Sequence, residues 1–235
     1  MKALSGLFSA TLLLGGVALV VWQLCTHPES PLAREWNPTK RLYLADPVTI
    51  LTPWKLDAAA DDPLLCKQVL ADGGAAFTDL PDKIVSDQCF IRGQVRLTNV
   101  GTSRLSPVET SCAIALRTAM WERHGLQPAA RAHLGTQISG ISHFSSYNCR
   151  QIRTLGGNGG RMSLHATAEA LDVSGFTLAD GRRLVMKRDW DRENAFFKAA
   201  RDSACEWFKT TLGPDYNALH ADHFHLQSRG WGTCR

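Results

Sequence analysis

The apolar positions along this chain fall into three regimes. From Ala3 to Cys25 no charged residue occurs, and Leu, Val, Ala and Gly dominate. Such a run is long enough to cross a bilayer as a helix. A cleaved signal peptide is the rival reading, but its apolar stretch is usually shorter and ends in small residues. Here the run closes on Val20-Val21-Trp22-Gln23-Leu24-Cys25, which is bulky, and Trp22 is suited to a membrane interface. An uncleaved anchor over residues 1–26 is therefore expected. Residues 27–61 keep no period: Pro28, Pro31, Pro38, Pro47 and Pro53 recur. They read as a Pro-rich tether, with Leu42-Tyr43-Leu44 and residues 48–51 as short strands or arms lying on the domain.

Residues 62–235 alternate between helical and strand periods. Asp62-Pro63 opens a helix carrying Leu64, Leu65, Val69 and Leu70. Ile84, Val85, Phe90, Ile91, Val95 and Leu97 read as strands broken at Gly93. Ser106-Pro107-Val108-Glu109 has the form of a capped helix start, with Cys112, Leu116, Ala119 and Met120 as its apolar stripe and Gly125 as its stop. Residues 128–134 form a shorter helix ending at Gly135, and residues 137–149 read as a strand or hairpin. The glycine-rich residues 156–160 read as a mobile loop, since the Gly-Lys-Ser/Thr ending of a phosphate-cradling loop is missing. Residues 171–178 and 184–186 flank Asp180-Gly181, a hairpin signal. Asp191 then caps a helix whose apolar face is Phe196, Phe197, Ala199, Ala200, Ala204, Phe208 and Leu212, stopped by Gly213-Pro214. A last strand runs through residues 223–227. The order predicts an α+β fold, a small mostly antiparallel sheet with flanking helices.

Composition narrows the class. Hydrophobic residues make up 44% of the chain, enough for a real core and too many for disorder. A formal charge of +4 over 235 residues, with no basic run interleaved with aromatics, argues against nucleic acid as a partner. Of seven cysteines, Cys25 belongs to the apolar run. Cys66, Cys89, Cys112, Cys149, Cys205 and Cys234 are an even, widely spaced set without CxxC, which points to disulfides in an oxidising compartment. Sequential pairing is expected: Cys66–Cys89, Cys112–Cys149 and Cys205–Cys234.

The histidines carry the chemistry. His27, His124, His133 and His143 read as structural or surface residues. His165, His220, His223 and His225 crowd into residues 163–225 with Asp172. Two imidazole nitrogens and one carboxylate oxygen, with a fourth position left to water, make the donor set of a catalytic zinc site. His165, Asp172 and His225 are read as ligands of Zn2+; the helical HExxH pair is absent. On a strand His223 faces the same way as His225, with Phe224 and Leu226 toward the core. His223 then acts as acid/base or oxyanion stabiliser. Asp222 either fixes a histidine tautomer or, if the strand begins after it, serves as general base.

Ser163-x-His165, followed by Ala168-x-Ala170-x-Asp172 and later by His223-x-His225, resembles the zinc peptidases that cut bacterial cell-wall peptides. These include D-alanyl-D-alanine carboxypeptidases and penicillin-insensitive murein endopeptidases. From Cys66 to Cys234 the chain more closely resembles the bacterial extensin-like C-terminal domain family. The matching pieces are Cys149-Arg150 after Ser146-Tyr147, the motif from Ser163 to Asp172, Ala204-Cys205, Leu212-Gly213-Pro214 and the cluster from His220 to His225. The peptidase resemblance implies the same three ligands, His223 as the catalytic partner, His220 as a further site histidine and Arg150 as a substrate contact; Asp222 is expected beside them as a catalytic residue, and Tyr147 and Ser163 as further substrate contacts. Arg150 would take a substrate carboxylate. Ala168 stands where the peptidase motif has Gly, which bears on substrate fit. The implied activity is a zinc-dependent peptidase acting on peptidoglycan stem peptides or cross-links. The chain would be a single-pass inner-membrane protein with its domain in the periplasm. The alternative is a non-catalytic domain that binds the cell wall or braces the envelope.

Overall fold

The first long element is the helix α1 (Lys2–Thr26). The computed structural model describes the backbone of residues 2–154 and 156–235, and side chains from residue 12 onward apart from residues 155 and 158. Among the described residues no helix is long and apolar enough to cross a membrane. Of the expected span over residues 1–26, side chains are described from residue 12 on. The remainder of the expected span lies outside the described side chains.

The Pro-rich segment is attached to the domain along its length. Asn37 Nδ2 and Thr39 Oγ1 donate to the Cys25 carbonyl, at 2.9 and 2.8 Å, capping the end of α1. Leu42 and Leu44 enter the hydrophobic core, followed by α2 (Thr52–Asp61), which adds Leu56 and Ala59. Asp57 on α2 accepts from the buried Arg117 and from Lys209, each at 2.6 Å. Burial opposes ionisation of that carboxyl, but Lys209 and Arg117 outweigh it and hold it below the usual carboxylate range. Next, α3 (Pro63–Asp72) starts where Asp62 accepts from the amides of Leu64 and Leu65.

The strands β1 (Ala76–Asp79), β2 (Lys83–Ser86), β3 (Cys89–Ile91), β4 (Gln94–Val100) and β5 (Ser103–Ser111) follow as hairpins. The helix expected to begin at Ser106 begins later, as α4 (Cys112–Trp121), with Ser111 as its cap. Pro107 is tolerated in β5 because it lies opposite an irregularity between Leu97 and Asn99, beyond the short pairing of β5 with β6 (Ile138–His143). Gly125 does not stop the helix either. A π-turn over Glu122–Leu126 carries the chain into α5 (Gln127–Leu134), absorbing Pro128, and Gly135 ends it at φ 64°.

Residues 156–160, expected as a loop, fall largely within the hairpin of β7 (Gln151–Thr154) and β8 (Gly157–Met162). β9 (Ala170–Leu178) and β10 (Arg183–Val185) form the expected hairpin around Asp180-Gly181. After α6 (Met186–Asp189), α7 (Asn194–Trp207) ends earlier than expected, and Asp191 is not its cap. The β-branched pair Thr210-Thr211 instead forms β11 (Thr210–Leu212). β12 (Phe224–Gln227) and β13 (Thr233–Cys234) complete the chain.

Among the described residues the main sheet has nine strands, ordered β1-β4-β5-β6-β9-β12-β11-β13, with β10 beside β9. Its pairings are antiparallel except β5 with β6 and β11 with β13. The α+β expectation holds. Trp121 of α4 and Phe196 and Phe197 of α7 pack on Phe176 and Phe224 of the sheet, with ring centroids 5.4–6.4 Å apart.

Three disulfides brace the fold, and two differ from the sequential expectation. Cys66 pairs with Cys112, Cys89 with Cys149, and Cys205 with Cys234. The β4–β5 hairpin folds back, so Cys112 N–H reaches the Gly93 carbonyl at 2.9 Å and its side chain meets α3 rather than Cys149.

A candidate metal centre

The centre is built on a cross-strand pair. Asp172 on β9 lies directly opposite His225 on β12, with Val173 opposite Phe224 and Leu171 opposite Leu226. Strand alternation sends Leu171, Val173, Phe224 and Leu226 into the core, so Asp172 and His225 share the other face. The third residue comes from the short 3-10 turn Leu164–Thr167, where Ser163 Oγ accepts the His165 N–H at 3.3 Å.

The donor atoms converge. His165 Nε2 is 3.1 Å from Asp172 Oδ2 and 3.3 Å from His225 Nδ1, and His225 Nδ1 is 2.7 Å from Asp172 Oδ1. One potential ligand atom from each residue lies within 4.8 Å of the others. Tetrahedral ligands at bond lengths of about 2.0–2.1 Å stand roughly 3.3 Å apart, so the spacing fits a zinc-sized ion. His165 Nδ1–H donates to the Ser146 carbonyl at 2.8 Å, which turns Nε2 toward the centre. Ser146 is itself pinned, its hydroxyl bonded to the Ala170 carbonyl at 2.6 Å and to Thr110 Oγ1 at 2.7 Å.

The electrostatics suit a cation. Burial opposes ionisation of Asp172, but hydrogen bonds from His165 and His225 outweigh it and hold its carboxyl far below the usual range. Burial pushes His225 down against the pull of Asp172, keeping the imidazole neutral, the form that binds metals.

Around the triad stand the other expected residues. His223 Nδ1 is 2.8 Å from Asp222 Oδ1, while its Nε2 lies 3.6 Å from Asp172 Oδ1, too far for a direct hydrogen bond. His220 packs 5.3 Å from the His223 ring and 5.7 Å from that of His225. Burial, then the neighbouring imidazoles, lower its pKa to about 4. With Nδ1–H donated to Asn217 Oδ1 at 2.7 Å, a neutral His220 presents a bare Nε2. Arg150 is close enough to Asp172 to feel its charge, although burial and then Arg153 lower its own pKa. The remaining expected substrate contacts are engaged elsewhere: the Ser163 hydroxyl caps the 3-10 turn, and the Tyr147 ring lies 4.8 Å from the Lys83 ammonium.

Sequence reasoning missed several neighbours. Phe144 and Tyr216, both exposed, stack edge-on against His223 and His220, at 5.7 and 5.4 Å. Ser146 acts through a backbone carbonyl, which leaves no trace in residue type. Gln227, with its side-chain amide 2.6 Å from His225 Nε2, could have been found by extending the alternation of His223 and His225 by two residues.

Ala168 closes the 3-10 turn at φ 50°, the one non-glycine with positive φ among the described residues. Its carbonyl accepts from Ser111 N–H and Thr110 Oγ1, and its methyl is buried. A β-branched residue there meets backbone strain and a full core together. Ala168→Val is expected to cost about 2 kcal/mol or more in urea unfolding and to weaken metal retention, whereas Ala168→Gly stays within about 1 kcal/mol.

Residues 64–235 match the family model of the extensin-like protein C-terminus, and the chain belongs to that family. No curated protein and no solved structure matches it.

Proposed function

We propose that this domain is a zinc-dependent peptidase that cuts peptidoglycan stem peptides or their cross-links. The observation that carries the reading is the convergence of His165 Nε2, the Asp172 carboxylate and His225 Nδ1 at ion-binding distances. Bound zinc would supply Lewis acidity, activating a water and polarising the scissile carbonyl.

The side chains have distinct tasks. His165, Asp172 and His225 hold the ion. Asp222 keeps the proton of His223 on Nδ1, so its Nε2 accepts a proton from the attacking side and returns it to the leaving amine, or steadies the oxyanion when protonated. His220, with Nε2 bare, is a second acceptor at the rim. Arg150 offers its guanidinium to a substrate carboxylate. Phe144 and Tyr216 frame the opening with apolar surface.

Export to an oxidising compartment, the periplasm, belongs to the same proposal. Three disulfides support it, and the apolar N-terminal run would deliver the chain there.

The test is mass analysis of purified cell wall after incubation with the zinc-loaded protein. Released peptides cut within stems or cross-links are the expected result. Wall binding without released fragments, at full zinc occupancy, would replace the peptidase reading with a cell-wall-binding one.

A further inference from the structure

We infer that Gln227 is a positioning residue that sets the tautomer of His225 and, through it, the metal affinity of the centre. The inference rests on the metal-site reading above. Gln227 lies two residues beyond His225 on β12, hence on the same face, and is held in register by Ala170 on β9 and Thr210 on β11. Its amide is 2.6 Å from His225 Nε2.

The count of donors and acceptors explains why an amide is useful there. Without an ion, His225 Nδ1 must carry the ring proton to donate to Asp172 Oδ1 at 2.7 Å. Nε2 is then a bare acceptor, and the Gln227 N–H meets it. To ligate through Nδ1, the ring has to carry its proton on Nε2 instead, and a buried N–H needs an acceptor. A half-turn of the amide places Oε1 where the Gln227 Nε2 hydrogens had been offered, so one side chain serves both states. A carboxylate would satisfy only the ligating tautomer, and an apolar side chain neither. The Ser146 carbonyl does the equivalent task for His165, but as a fixed acceptor.

The experiment measures zinc affinity by chelator competition for the full chain and for Gln227→Leu and Gln227→Glu. Imidazole tautomers of the metal-free proteins are read by nitrogen-15 NMR. Gln227→Leu is expected to bind zinc about 10–100-fold more weakly, the usual cost of losing such a partner. Gln227→Glu should bind at least as tightly as the parent and move the His225 proton toward Nε2. A role in packing alone would lower the melting temperature of both variants and leave zinc affinity unchanged. If the parent takes up no zinc, the metal-site reading and this inference fall together. If the parent binds zinc and Gln227→Leu binds it equally well, this inference alone is overturned. Should Gln227→Leu fail to fold, weaker binding by a folded Gln227→Glu overturns it.

Discussion

Asp172→Asn should strip the domain of zinc and of any wall-cutting activity while leaving the fold in place. The substitution keeps the shape of the side chain and removes its charge. Two imidazole nitrogens, at 3.1 and 2.7 Å, then face a neutral amide. The ion loses its only anionic ligand in a site where burial disfavours an uncompensated cation. Losing an outer partner of a metal ligand already costs 10–100-fold in affinity, so the loss here should exceed about 100-fold. Metal analysis after dialysis measures the first effect, and mass analysis of wall digests the second. Zinc content equal to that of the parent would defeat the ligand assignment.

The second large effect comes from the disulfide between Cys89 and Cys149. Replacing both by Ser opens a link across 60 residues, and the chain-entropy relation puts the loss at about 4 kcal/mol. The site should suffer as well. Cys149 precedes Arg150 and follows Asn148, whose N–H donates to the His165 carbonyl at 2.9 Å, and Ser146, whose carbonyl orients the His165 ring. The double variant is therefore expected to bind zinc more weakly than one lacking Cys205–Cys234, which ties α7 to β13 and spans 29 residues. Urea unfolding and chelator competition on both variants test this. Equal zinc affinities would show that the bridge stabilises the domain without shaping the centre.

That His165, Asp172 and His225 belong to one candidate site was legible in the sequence, because that expectation rests on residue types and strand parity. His225 and Asp172 each stand between core residues, so alternation alone assigns both to the polar face. What joins them was not legible. The register that sets Asp172 opposite His225 is a property of two strands 53 residues apart, which no local pattern encodes. Local signals also misled where tertiary structure overrode them. Ser106-Pro107 has every mark of a helix start, yet the irregularity in β4 accepts it within a strand. Thr210-Thr211 lie within the helix expected to run to Leu212, although pairing with β12 makes them a strand. The disulfide partners of Cys66 and Cys89 depend on how one hairpin folds back, which spacing does not reveal.

The arm ahead of the family match has a practical consequence. Leu44 lends its side chain to the core and its carbonyl to His124, and Asp57 answers the buried charge of Arg117. A fragment trimmed to the first matched residue would uncover a greasy seam and strand a guanidinium without its counter-ion. Anyone shortening this protein for crystallisation should cut ahead of the Pro-rich stretch, because the recognisable family begins later along the chain than the folding unit does.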